Sequence, residues 1–304
     1  IPDKAKLVGP AVRRSMNKAV ENAQKGAQWM ETKAKDMYHN LRKGDPVDLV
    51  TGSFVLELTD MMFRDLGEDF VLTRCYDSLY ENQGQHLGFR WLINVGMCLS
   101  RENSRITVLM PDLHLEKFHL QEDGTWLNQR GGSEAIKLLA DKAGYQLILP
   151  TERKCYTFDS EGKLIAIQQN NQQPVKITYQ GKFIQHITLS CGQEIRFAYD
   201  DDKICTITDP IGRVLRYTYD GDLLTQVTYP NGGSFQYNYD ESGLILSVRD
   251  LNGKTYVKNT YDRDSRVTRQ EMINGGEYVY FYDTQNRLTT YTRSEERRVG
   301  KECR

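Results

Sequence analysis

The side chains able to do chemistry are few and scattered along this chain of 304 residues. The five histidines are His39, His86, His114, His119 and His186. His114 and His119 stand five apart on a strand–turn pattern, not as the i, i+4 helical pair by which zinc proteases hold their metal. The cysteines, Cys75, Cys98, Cys155, Cys191, Cys205 and Cys303, include no C-x-x-C and read as small apolar residues in strands. A disulfide between two of them is open if the protein is exported, and the sequence does not choose the pair. No Gly-x-Ser-x-Gly, P-loop or dinucleotide fingerprint occurs. Asp200-Asp201-Asp202 reads as a solvated turn rather than a cation site, and Asp209-Pro210-Ile211-Gly212 as a tight turn. The expectation is a chain that is not an enzyme and holds no metal and no cofactor.

Elements that would position a site are easier to read. The composition is 39% hydrophobic with a formal charge of −1, and no apolar run approaches the ~18 residues of a membrane span. The charge is uneven. Residues 1–43 carry ten Lys/Arg against four Asp/Glu, residues 44–292 carry 25 against 34, and the last twelve carry five against three. An acidic middle without a basic stripe argues against nucleic-acid binding. Met16, Val20, Ala23, Ala27, Met30, Ala34, Met37 and Leu41 recur at alternating steps of four and three, which predicts one amphipathic helix over residues 11–43. It would serve as a connector lying on the β domain, as a docking helix for a chaperone or secretion component, or as a basic helix on a membrane surface. Alternating patches predict strands over residues 92–157, and residues 133–140 read as one or two helical turns. The last twelve residues break the pattern abruptly and read as a non-native tail, as from translated sequencing adaptor, so the true chain is expected to continue past Thr292.

Fourteen of the 18 tyrosines fall between Tyr156 and Tyr291, and they are periodic. An aromatic followed by a polar residue recurs at Phe158-Asp159, Tyr179-Gln180, Tyr199-Asp200, Tyr219-Asp220, Tyr239-Asp240, Tyr261-Asp262 and Tyr282-Asp283, at steps of 20 to 22 residues. Each unit reads as a turn, a six-residue strand, a second turn and a second strand. The second turn carries Asp209, Pro210 and Gly212 in one unit, Gly232 and Gly253 in others, and supplies tight-turn geometry. Each Asp is expected to bond the amides of its own turn, and each Tyr ring to stack on the ring one repeat away. One hairpin cannot bury its apolar face alone, so the units must stack.

These residues resemble the YD repeats of the Rhs family, most closely over residues 219–261 and least over 158–199. A second resemblance precedes them. Gly44-Asp45-Pro46-Val47-Asp48-Leu49-Val50-Thr51-Gly52-Ser53-Phe54, then Thr73-Arg74-Cys75-Tyr76-Asp77-Ser78, resemble the domain that opens such arrays, with Leu87-Gly88-Phe89-Arg90-Trp91 carrying Arg90 in place of a family glycine. The resemblance implies a mainly β protein: an N-terminal helix or linker (1–43), a β-rich leader (44–157), an antiparallel YD-repeat hairpin array (158–292) forming part of a spiral β shell, and the tail (293–304). It implies a non-catalytic segment of a shell around a C-terminal toxin that lies outside this fragment, exported from a bacterium for competition. The competing reading is an extracellular module binding carbohydrate or another cell surface, which outward-facing aromatics would favour.

Overall fold

Period-two alternation decides which residues become strands. In Val214–Asp220, Leu215 and Tyr217 are buried while Arg216 and Thr218 are exposed, and the same pattern repeats in Glu194–Asp200. The computed structural model describes residues 47–295 except 66–68, 82–85, 130–133, 140–142, 274, 284 and 286–287. The expected helix over residues 11–43 and most of the proposed tail lie outside the described residues.

Two sheets organise the molecule. The first contains β1 (Val55–Phe63), β2 (Phe70–Asp77) and β3 (Trp91–Ile93), all antiparallel. The second runs as one meander of twenty strands from β4 (Cys98–Glu102) to β23 (Leu288–Glu295), each paired with its neighbour in sequence. The meander also meets itself: Cys98 bridges Lys163, and the Leu99 N–H donates to the Gly162 carbonyl at 2.9 Å. The leader boundary at 157 falls inside β10 (Lys154–Asp159), so the sheet passes through it without interruption.

A register shift recurs at one place in nearly every hairpin. It falls between Thr157 and Phe158, Thr178 and Tyr179, Ala198 and Tyr199, Thr218 and Tyr219, Asn238 and Tyr239, and Thr260 and Tyr261. An extra residue on the partner strand bends the strand and adds right-handed twist, so one bulge per repeat curves the sheet steadily. The last described hairpin, Gly276–Asp283 with β23, keeps an unbroken register.

The concave face of the array closes over the three-stranded leader sheet. One core joins Phe54, Leu56, Leu58, Leu72, Tyr76 and Trp91 of the leader to Ile204, Leu215, Leu224, Ile245 and Val267 of the array. Each such side chain fully buried is worth about 1.5–3 kcal/mol against leaving it in water. The leader's other face is covered by the turn after β5 (Arg105–Leu109), where Leu113 packs with Cys75, Leu92 and Leu109.

Three details depart from the sequence reading. Residues 135–138 are not helical: Ala135–Leu138 is a strand paired with Gly144–Leu149, because the ladder satisfies its backbone on a sheet already present. Arg293, Ser294 and Glu295 continue β23, opposite Tyr278, Glu277 and Gly276, so the strand runs past the point where the repeat grammar stops. Successive repeat tyrosines do not stack, for the reason given below.

Candidate functional site

Tyr199, Tyr219, Tyr239 and Tyr261 each follow a bulge, whereas Tyr282 stands in an unbroken register. Tyr219 OH donates to the Ile204 carbonyl at 2.8 Å, Tyr239 OH to Leu224 at 2.6 Å, Tyr261 OH to Ile245 at 2.8 Å and Tyr282 OH to Val267 at 2.5 Å. Tyr199 departs from this, its hydroxyl accepting from the Ile184 N–H at 3.0 Å. Among the described residues no ring contact joins Tyr199, Tyr219, Tyr239 and Tyr261 to one another. The expected ring ladder is therefore a ladder of hydroxyls on backbone, since each hydroxyl meets the strand just before its own rather than the next ring. Burial pushes the hydroxyls of Tyr239 and Tyr261 well above the ordinary tyrosine range, which keeps them donors.

The aspartates fall into two groups. Asp240 Oδ1 accepts the Ser242 and Leu244 amides, both at 2.9 Å; Asp262 Oδ1 accepts those of Asp264 and Arg266; Asp283 accepts that of Gln285. Asp200 and Asp220 instead sit in two-residue hairpins, paired with Lys203 and Leu223, and make no side-chain bond to their turns among the described residues. The expected bond thus holds only where the turn is long enough to fold over its Asp. At Asp209, Oδ1 accepts the Ile211 and Arg213 amides at 3.0 and 2.7 Å, and Arg213 Nε reaches Oδ2 at 2.5 Å. Pro210 and Gly212 complete that turn, while Gly232 and Gly253 hold the matching left-handed positions further on.

The leader grips the array along the rim of turns. Phe89 N–H donates to the Asp222 carbonyl at 2.8 Å, Ile204 N–H to the His86 carbonyl at 2.8 Å, and Val267 N–H to the Gly52 carbonyl at 2.9 Å. Tyr76 OH accepts from Ile245 N–H at 3.1 Å, and Ser78 Oγ donates to the Ser265 carbonyl at 3.0 Å. Ile204, Ile245 and Val267 occupy one position of the repeat, the strand residue opposite the bulge. The irregular ladder there leaves backbone groups for the leader to satisfy.

At the centre lies a buried ion pair. Arg74 Nη1 meets Asp60 Oδ1, with both side chains wholly excluded from water. Arg74 Nη2 donates to Tyr237 OH at 2.7 Å, Tyr217 OH donates to Asp60 Oδ2 at 2.5 Å, and Tyr229 OH donates to the Thr59 carbonyl at 3.0 Å. The guanidinium carbon lies 5.8 Å from the Trp91 ring centroid and 5.9 Å from that of Phe235. Both ions belong to the leader, and their charge-assisted hydrogen bonds to Tyr217 and Tyr237 join it to the array beside the apolar area. Arg74 belongs to the leader motif Thr73–Ser78, but its partners are not legible from that motif. The available signal was Asp60 and Arg74, each on the otherwise apolar inward face of its strand.

Arg90 keeps the conformation of the glycine it replaces, with φ 66°. Its cost is offset by a guanidinium bond to the Ser78 carbonyl and by stacking 4.7 Å above the Phe89 ring. Gly52 and Gly88 are confined: a Cβ at Gly52 would stand 2.9 Å from the Tyr282 ring, and one at Gly88 2.3 Å from the Asp222 carbonyl oxygen.

Among the described residues no group of three or more His, Cys, Asp or Glu is placed to hold a metal ion. His114 sits between two carboxylates, with Nδ1 on Asp112 and Nε2 on Glu116 at 2.9 Å. Asn128 ties Glu116 to Glu134. The Asp112 bond raises the His114 pKa against the effect of burial. Burial pushes the Asp112 carboxyl up, but His114 outweighs it and holds it below the usual range. A raised His contributes stability fully below its ordinary pKa of about 6.5 and loses it as pH climbs through the folded value. Asp112 contributes above its ordinary value and loses this as pH falls through its lowered one. Amide exchange at Leu113, corrected for intrinsic rate, is therefore expected to be slower at about pH 5.5 than at about pH 8.5, and His114→Gln to flatten the difference.

The continuous curved sheet, its covered concave face and its polar outer face together define a structural shell segment. A family model described as Teneurin YD-shell matches residues 138–296, more than half of the chain, and a domain of unknown function, DUF6531, matches residues 44–118. The chain belongs to the YD-shell family and is a fragment of an Rhs/YD-repeat protein. Among solved structures, the Photorhabdus luminescens Tc holotoxin pore aligns at 11% identity and TM-score 0.28, over 78% of this chain and 18% of that one. TcdB2-TccC3-Cdc42 aligns at 13% identity and TM-score 0.25, over 80% and 13%. TcdB2-TccC3 without its hypervariable C-terminal region aligns at 12% identity and TM-score 0.29, over the same shares. The chain thus spans less than a fifth of each of these. No curated protein matches.

Proposed function

We propose that this chain is wall and filling of a hollow YD shell whose parent protein encloses a C-terminal toxin and, after export from a bacterium, delivers it in competition. The observation that supports this is the sidedness of the array. Tyr217, Phe235, Tyr237, Tyr256 and Tyr280 are all buried, whereas Lys176, Arg196, Arg216 and Lys258 face solvent. A surface reading cells by aromatic stacking would need the reverse, and among the described residues only Phe281 and Tyr291 are exposed large aromatics. That disfavours the carbohydrate- or cell-surface-binding alternative. Residues 11–43, basic and amphipathic, serve in this reading as the docking segment for a chaperone or secretion component.

The test uses the parent protein. Its sequence past Thr292 is expected to hold further YD repeats and then a distinct C-terminal domain, protected from protease while the shell is intact. A wall anchor in that place, or a C-terminal domain digested as fast as the free domain, would overturn the proposal.

A further inference from the structure

The charges of the array are sorted by place, which their total conceals. Residues 175–258 contain ten Asp/Glu against nine Lys/Arg. Every acid but Glu194 stands in a turn or on the strand residue that enters one. The mid-strand cations follow another rule. In five consecutive units the residue three before the repeat tyrosine is Lys176, Arg196, Arg216, Gln236 and Lys258. Each of these cations is exposed between two buried neighbours, as Arg216 is between Leu215 and Tyr217, and so stands on the outer face. The one neutral member, Gln236, has Arg249 opposite it on the ladder, and Arg249 is exposed too. Cys155 and Val279 hold the same position in the units to either side, so the row ends at both.

The ladder fixes the spacing of the row. Lys176 is opposite Thr188 where Arg196 is opposite His186, and Arg196 is opposite Thr208 where Arg216 is opposite Thr206. Successive members are therefore two strands and two residues apart, about 12 Å on a sheet with ~4.8 Å between strands and ~3.4 Å per residue. Twenty residues of sequence separate them, so no local count of charge shows the row. Lys176, Arg216, Arg249 and Lys258 make no ion pair among the described residues, and Arg196 alone meets a carboxylate, Glu194 at 3.1 Å.

What this surface fits is decided by what it lacks. Among the described residues the exposed large aromatics, Phe281 and Tyr291, lie outside it. The bases of a single nucleic-acid strand would find no ring to stack on. A protein partner would find no aromatic anchor, only separate exposed charges that each strengthen binding by less than about fivefold. An anionic bilayer needs neither. Its headgroup charge strengthens binding by about fivefold for each nearby cation, and a screening length of about 8 Å in physiological salt spans the gap that a convex sheet leaves above a flat surface.

We propose that this outer row of cations is a docking surface for an anionic lipid bilayer. It is independent of what the shell encloses. Sedimentation of the full chain with vesicles of phosphatidylcholine and phosphatidylglycerol in equal parts, against pure phosphatidylcholine, tests it. Binding is expected to the mixed vesicles only, and is expected to fall at least tenfold between about 0.1 M and about 0.5 M salt. Arg216→Gln with Lys258→Gln is expected to weaken it tenfold or more, from two charges at about fivefold each. Lys254→Gln with Arg263→Gln removes the same charge from turn residues off the row, and is expected to change affinity less than about threefold. Urea midpoints matching the parent's are expected for both variants, since all four side chains are exposed. Equal weakening by the two variants would assign the binding to net charge, and unchanged affinity in the Arg216/Lys258 variant would assign it to the basic residues 1–43. Either result overturns the proposal, as does equal binding to pure phosphatidylcholine or no binding at all. A single-stranded oligothymidylate that binds more tightly than the mixed vesicles, and loses that binding in the Arg216/Lys258 variant, would assign the row to nucleic acid and also overturn it.

Discussion

Arg74→Ala is expected to destabilise the protein by about 3–5 kcal/mol, the cost of leaving a buried charge without its partner. Asp60 would remain wholly buried among Tyr217, Tyr229 and Thr59 with its counter-ion gone. The paired change Arg74→Met with Asp60→Leu is expected to recover most of that loss, because apolar residues of similar volume often replace a buried pair at little cost. Urea unfolding of both variants checks this. An Arg74→Ala midpoint within experimental error of the parent would show that the leader is held by apolar packing alone. A double variant as unstable as the single one would show that shape, not charge, sets the joint.

The second large effect is at Gly162, where the sheet meets its own first strand. An alanine Cβ there would stand 1.8 Å from the Leu99 carbonyl oxygen and 2.9 Å from its carbon, and φ is +85°. The left-handed conformation costs an alanine about 1–2 kcal/mol, and moving backbone out of the way adds about 1–3 kcal/mol. Gly212 supplies the control, since φ is +86° and a Cβ would meet nothing within 4 Å. Gly162→Ala is therefore expected to lose roughly 2–5 kcal/mol, Gly212→Ala only the first part. Exchange of the Leu99 amide, bonded to the Gly162 carbonyl, should quicken in the first variant and stay slow in the second. Equal losses in the two variants would mean that the closure carries no stability of its own.

What the sequence made legible is what is local. The twenty-residue step, the alternating strands and the turn glycines are written in neighbouring residues, so the array could be read directly. Arg90 could be read as a departure from a glycine, though not as a side chain that keeps the glycine's conformation through Phe89 and Ser78. The joint between leader and array was not readable. Asp60 meets Tyr217 across 157 positions and Arg74 meets Tyr237 across 163, and no spacing rule links residues so far apart. The difference between Asp200 and Asp240 was in principle visible, as a turn of two residues against one of three, but both follow a tyrosine and read alike. The tyrosine rings were misjudged because a regular ladder would have set them side by side. Each hydroxyl instead meets backbone of the strand before its own, at Tyr282 as well, where no bulge precedes it.

The order of the two sheets along the chain has a consequence for synthesis. Every described hairpin that binds the leader is translated after it, and the rim contacts at His86, Phe89, Tyr76, Ser78 and Gly52 reach forward to Ile204, Asp222, Ile245, Ser265 and Val267. As each twenty-residue unit leaves the ribosome, the surface it must settle on has already been made, and so has the strand it must pair with. Growth of the wall can therefore proceed by accretion, with one newly made strand exposed at a time rather than a whole unpaired sheet.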